Sequence, residues 1–184
     1  SVITTDLRNL AFKEKIEVFS KKSNLAKNWL RGKIHLNQVD DVKDVNGVEL
    51  VLSVGSKATP LDNTAKIKID AETTGFGLHK LVIPNMGSND CIGNIKFAKK
   101  EHVGGHSVVF LVVDKEEELT NLKNYLESKL VRFLIKATKI STPNSKTIFE
   151  NIPSIDFTKS WTDLDLYNYF GLTQEEIEQI EASY

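Results

Sequence analysis

The chain has 184 residues, 40% of them hydrophobic and 27% charged, with a formal net charge of −1. This composition describes one ordinary globular domain and excludes wholesale disorder, collagen and coiled-coil architectures. No run approaches the ~18 apolar residues that a membrane-spanning helix needs. Cys91 is the only cysteine, so no internal disulfide can form. With no secretory signal at the start SVITTDLRNL, a cytoplasmic home is expected. The chain begins at Ser1 rather than Met, read here as the mark of a piece cut from something longer.

In chain order, Leu10, Ile16, Phe19, Leu25 and Trp29 make a rough apolar stripe. They predict helix from about Asn9 to Leu30, with a break near Ser23-Asn24 and a stop at Gly32. Asn46-Gly47 signals a turn before a strand over 48–54. Gly55 to Pro60 reads as a loop, and Lys66 to Ile69 alternates like a half-exposed strand. After the turn at Gly75-Phe76-Gly77, Lys80 to Ile83 reads as a strand closed by Pro84. Residues 84–93 form a polar loop, and 94–97 a short strand. His102 to His106 is a glycine-containing turn. Ser107 to Val113 is apolar on both faces, the pattern of a central buried strand.

Asp114 is placed as the cap of one long helix, marked by Leu119, Leu122, Leu126, Leu130, Phe133, Leu134 and Ala137. A loop follows at 142–146. Ser160 or Thr162 caps a helix ended by Gly171, and Thr173 with Glu176 forms the capping box of a last one. The order of helix, strands, long helix and short helices predicts an α+β fold with a mixed or antiparallel sheet and a helical C-terminal tail. It is read as a single domain over 1–184, with a helical N-terminal part (1–32) and terminal helices (160–184).

Charge is unevenly distributed. Residues 21–40 carry Lys21, Lys22, Lys27, Arg31 and Lys33 against Asp40, and residues 121–140 are equally basic. The last 24 residues hold six carboxylates and no Lys or Arg. This asymmetry fits a basic working surface and an acidic face kept away from it. Known chemical signatures are missing. Neither glycine-rich phosphate cradle is present, nor H-E-x-x-H, a double C-x-x-C, a G-x-S-x-G elbow or a Pro-Pro pair. His102 and His106, with Cys91 eleven residues before, lack the further ligand and rigid frame of a zinc site. The one E-x-K, Glu127-Ser128-Lys129, falls in the long helix rather than on a nuclease strand. No catalytic residue, metal ligand or cofactor site is therefore assigned to the chain.

Several strings run together: WLRGKIHLNQV (29–39), VLSVGSKATPLDN (51–63), LVIPNMGSNDCIGNIKFA (81–98) and HVGGHSVVFLVVD (102–114). They lead into YLESKLVRFLIKATKISTPNSKTIFENIPSIDFTKSWTDLDLYNYFGLTQEEIEQIE (125–181). This stretch resembles the C-terminal target-recognition region of adenine-specific DNA methyltransferases of bacterial type II restriction–modification systems. The resemblance implies double-stranded DNA as partner. It also implies a separate catalytic domain in cis, which would bind S-adenosylmethionine and carry the N-P-P-[YF] loop missing here. No residue of the family's recognition surface is carried over by it.

Chemistry and loop position supply the candidates instead. Phosphate contacts are expected from Lys21, Lys22, Lys27, Arg31 and Lys33, with Lys57, Lys99 and Lys100 in loops, since ammonium and guanidinium groups suit phosphate oxygens. Base-edge contacts are expected from Asn85, Ser88 and Asn89, and from Asn144, Ser145 and Lys146, because Asn can pair bidentately with adenine. Other readings are a protein-docking module using Trp161, Tyr167, Tyr169 and Phe170, and a self-contained nuclease.

Overall fold

A computed structural model describes residues 2–69 and 74–184, with the side chains of residues 2–9 outside the description. The fold is α+β. Strands β1 (Trp29–Leu30), β4 (His79–Pro84), β5 (Lys96–Ala98) and β7 (Val108–Val113) form an antiparallel sheet in the order β1-β7-β4-β5. A second, mixed sheet has the order β3-β2-β6, from β2 (Lys43–Val51), β3 (Thr64–Ile67) and β6 (Val103–Gly104), with β6 parallel to β2.

The run Val108–Val113 is central, as its pattern predicts, and both of its faces are buried. Val109, Leu111 and Val113 join Leu81 and Ile83 of β4 in the main core, under the helices. Val108 and Phe110 point the other way and meet Val82, Val51 and Val54. Period-two alternation therefore feeds two cores from one strand. A third cluster, Ile34, Val39, Leu50, Ile67 and Val103, fills the small sheet.

The helical layer comprises α1 (Val2–Ser20), α2 (Glu118–Glu127), α3 (Lys129–Thr138), α4 (Lys146–Glu150), α5 (Asp163–Tyr169) and α6 (Gln174–Ala182). Among the described residues no helix is long and apolar enough to cross a membrane. Several expectations need correction, among them the turn at Asn46-Gly47 before a strand over 48–54, since both residues lie inside β2, which ends at Val51. The N-terminal helix ends at Ser20, and after a 3-10 turn at Leu25–Asn28 the chain is already strand at Trp29–Leu30. The segment 102–106 is not only a turn, because Val103–Gly104 pairs with β2. The single long helix is two. Ser128 is extended (φ −64°, ψ 154°), and its hydroxyl accepts from the Val131 N–H while donating to the Tyr125 carbonyl. A serine offers the backbone this alternative at a helix end. The break lets α2 bury Leu119, Leu122, Tyr125 and Leu126 while α3 turns Leu130, Val131, Phe133, Leu134 and Ile135 inward. The helix also starts at Glu118, later than the Asp114 cap implies.

The expected capping box of Thr173 with Glu176 is present, Thr162 rather than Ser160 caps α5 and adds a box of its own with Asp165, and Gly171 ends α5 at φ +66°. The acidic tail is partly neutralised where it docks. Lys129 pairs with Glu181 at 2.6 Å, and Lys15 pairs with Glu176.

Ser128→Ala should remove the cap of α3. Urea unfolding is expected to register a loss of about 1 kcal/mol, typical of a serine N-cap.

Candidate nucleic-acid interface

The direction of β4 decides which candidates share a surface. Its first residues pair beside Ala98, and the polar loop 85–93 leaves from its far end. Six residues of strand span roughly 20 Å. Lys99 and Lys100, just past β5, therefore lie at the opposite end from loop 85–93. Asn28 donates to the Val112 carbonyl, which puts Lys27 near the finish of β7 rather than its start. Lys21 closes α1 with an ion pair to Glu17 at 3.0 Å, and Lys22 follows it in the turn. The predicted basic helix face over 21–33 thus does not exist, because helix has given way to turn and strand. Arg31 and Lys33 alone of that block belong to the loop 85–93 end.

At that end the loops are tied together. The Asn85 N–H donates to the Ser107 carbonyl, and the Asn85 carbonyl accepts from the Asn144 N–H at 2.7 Å. The Gly87 N–H donates to the Thr142 carbonyl. Asn144 itself is fully buried. Its amide donates to the carbonyls of Pro84 and Ile92, its Oδ1 accepts from Lys139 Nζ at 2.8 Å, and its own carbonyl accepts from Trp29 Nε1. Every polar atom of this side chain is occupied, so Asn144 is a structural pin and not a base reader. Ser88 spends its hydroxyl on Asp90 Oδ1. Asn89, Ser145 and Lys146 are exposed, and Asn85 is half-buried.

Two depressions flank loop 85–93. On one side a cleft of about 470 Å³ is lined by Lys57, Asp90, Cys91, Arg132, Lys136 and Tyr184, among others. The Arg132 guanidinium lies over the Tyr184 ring at 4.1 Å. The cleft shares Lys57, Gly93, Ile95 and Glu127 with a neighbour of about 420 Å³ that adds Lys96 and Lys123. Glu127 is ion-paired with Lys123, so the lining carries an excess of positive charge. On the other side lies a shallow depression with Arg31, His35, Asn85 and His106. Sequence reasoning placed Arg132 and Lys136 in a basic block without singling them out. Their i,i+4 spacing opposite the apolar stripe of α3 was the available signal. His35 carried none, since nothing local brings it to His106.

Two further titratable groups, Lys80 and His102, are structural. Lys80 is fully buried and donates to the carbonyls of Gly75, Leu78, Lys99 and Lys100 at 2.8–3.1 Å. Burial pushes its ammonium down to about 8, opposed by Glu101. His102 accepts at Nδ1 from the Lys99 N–H, so its proton resides on Nε2, facing Glu49 at 3.1 Å. Among the described residues no group of three or more His, Cys, Asp or Glu is placed to hold a metal ion. Of the four aromatic candidates for protein docking, Tyr167 and Phe170 are buried in the main core and Trp161 packs against it. Tyr169 stacks edge-on against Trp161 and Phe170. The sequence matches no protein-family model and no curated protein.

Asn144→Ala should cost about 2–4 kcal/mol in urea unfolding, because it takes the side-chain donor from two carbonyls and one of three oxygens from a buried ammonium. Lys80→Met should cost a similar amount, taking one donor from each of four carbonyls, of which Gly75, Lys99 and Lys100 keep a backbone N–H. A lysine titrating lower when folded than the ordinary ~10.4 leaves the unfolded chain holding more protons between about 8 and 10. Stability of the parent chain should therefore rise over that window relative to Lys80→Met, in denaturation at stepped pH.

Proposed function

We propose that the chain is the target-recognition part of an adenine-specific DNA methyltransferase of restriction–modification type. It would hold a duplex for a catalytic domain in cis that binds S-adenosylmethionine and extrudes the base. The reading draws on the resemblance of residues 29–181 to that family. The observation that carries it is geometric: a pinned polar loop, 85–93, lies between two depressions that each present cations. The phosphate backbones of a duplex border each groove on both sides. A loop entering the groove between two basic rims meets both requirements of recognition at once, phosphate contacts for position and base edges for sequence.

On this reading Lys57, Arg132 and Lys136 hold one backbone and Arg31 with Lys33 the other. Asn89 and Asn85 face base edges, with Ser145 and Lys146 on the paired loop beside them. Lys21, Lys22, Lys27, Lys99 and Lys100 take no part, being at other ends of the sheet. The cytoplasm, where such systems meet DNA, is the corresponding compartment.

Two sets of variants separate the roles by fluorescence anisotropy. Lys57→Ala with Lys136→Ala should weaken binding to all duplexes alike and flatten the log–log salt slope by about two units. Asn89→Ala should leave random-sequence binding unchanged and cost about 1–3 kcal/mol on the site selected from a random duplex pool. A salt slope untouched by the lysine pair would remove the cleft from the interface.

A further inference from the structure

The shallow depression beside Asn85 brings the Arg31 guanidinium together with two imidazoles. Arg31 is half-buried, and burial lowers its pKa from the ordinary value. Its Nε and Nη2 both donate to the His106 carbonyl, at 3.0 and 2.7 Å. Nη2 also lies 3.0 Å from His106 Nδ1. A guanidinium only donates, so Nδ1 is the acceptor and the His106 proton resides on Nε2. His35 stacks on His106 with ring centroids 3.7 Å apart. Among the described residues no carboxylate pairs with Arg31, and the lining contains no acidic side chain. Asn37, Asn85 and Ser107 add amide and hydroxyl donors.

A partly desolvated guanidinium is ordinarily found with an anion. Here it is gripped from behind by a carbonyl and an imidazole nitrogen, which orient it without neutralising it. Its Nη1 takes no part in those bonds. The backbone that holds the grip has no slack. A β-carbon on Gly32 would come within 1.8 Å of the Gly104 carbonyl oxygen, so this close approach requires glycine. His106 is held toward its neutral form by burial, by Arg31 and by His35. Arg31 and His35 are the titratable groups facing it. An anion arriving here meets a guanidinium that no carboxylate of the lining neutralises.

We propose that Arg31, His35 and His106 form a phosphate-binding site, with Arg31 as the fixed cation and the two stacked imidazole rings beside it. It rests on the DNA reading in that the natural ligand is a backbone phosphate of the duplex. The chemistry is equally that of free phosphate, and the two sources are separable. Four histidines are present in the chain, which makes their ring proton resonances a direct reporter.

The test is a titration of the chain with inorganic phosphate, against chloride at matched ionic strength, followed by the histidine Cε1–H signals. A parallel titration uses a short duplex. Saturable movement of the His35 and His106 signals is expected with both, and the pH at which His106 titrates should rise by about one unit, as for a group gaining an opposite charge nearby. The buried His102 should not respond. His35→Ala, which leaves the Arg31–His106 grip intact, should weaken phosphate roughly tenfold, the loss of one charge-assisted bond. Arg31→Lys should abolish the response. If that variant fails to fold, the His35→Ala measurement still decides. Phosphate moving the two signals while the duplex does not bind would uphold the site and overturn the DNA reading. Duplex binding that leaves both signals still would uphold DNA and overturn the site. Chloride acting as well as phosphate would also overturn it.

Discussion

The ammonium of Lys139 is buried almost completely, and the three oxygens it meets come from two different loops: the carbonyls of Cys91 and Thr142, and the side chain of Asn144. Desolvation lowers its pKa. A buried cation without full compensation is expensive, so these loops cannot drift from it without leaving it stranded. Asn144 extends the same clamp to Pro84 and Ile92, and Trp29 reaches Asn144 from β1. The exposed residues between these fixed points, Ser88 and Asn89 on one side and Ser145 and Lys146 on the other, are thus presented by backbone whose freedom has already been removed. Binding through preorganised loops loses less entropy on association, which is the energetic argument for reading this end of the sheet as a recognition surface.

Everything else in the fold serves to place that end. The two-faced burial of β7 sets the helical layer on one side of the sheet and the small sheet on the other. The first places α3, and with it Arg132 and Lys136, beside loop 85–93. The second brings the 3-10 turn at Leu36–Val42, and with it His35, against His106. The Lys80 cage does at the opposite end what Lys139 does here, joining the Gly75–Leu78 turn to the Lys99–Lys100 turn. The acidic tail docks through Glu176 and Glu181 to Lys15 and Lys129. Glu181 also accepts from the Tyr167 hydroxyl, and pairing with Lys129 keeps its own pKa low.

Local signals were legible in the sequence and long-range ones were not. The cap at Thr162, the capping box at Thr173 and the strand at 108–113 follow from residues within a few positions of one another. The break at Ser128 does not, since the heptad-like leucines run straight through it. Only the need of α2 and α3 to face different parts of the core selects the extended serine. Asn144 illustrates the same limit at the candidate site. In sequence it is a loop asparagine in T-P-N-S-K, indistinguishable from Asn89. In space one is consumed by carbonyls from residues 84 and 92, and the other is exposed. The basic block 21–33 failed as a surface because helix periodicity was extended past Ser20 into turn and strand, scattering side chains that a helix would have aligned.

The central claim is that one end of the antiparallel sheet is the duplex-facing surface, and amide hydrogen exchange in the presence and absence of DNA addresses it most directly. The account predicts slowed exchange in residues 85–93, 141–146 and 31–37, with little change in α5, α6 and the Lys99–Lys100 turn. Protection confined to the terminal helices or to the Lys99–Lys100 turn, with loop 85–93 unaffected, would contradict it.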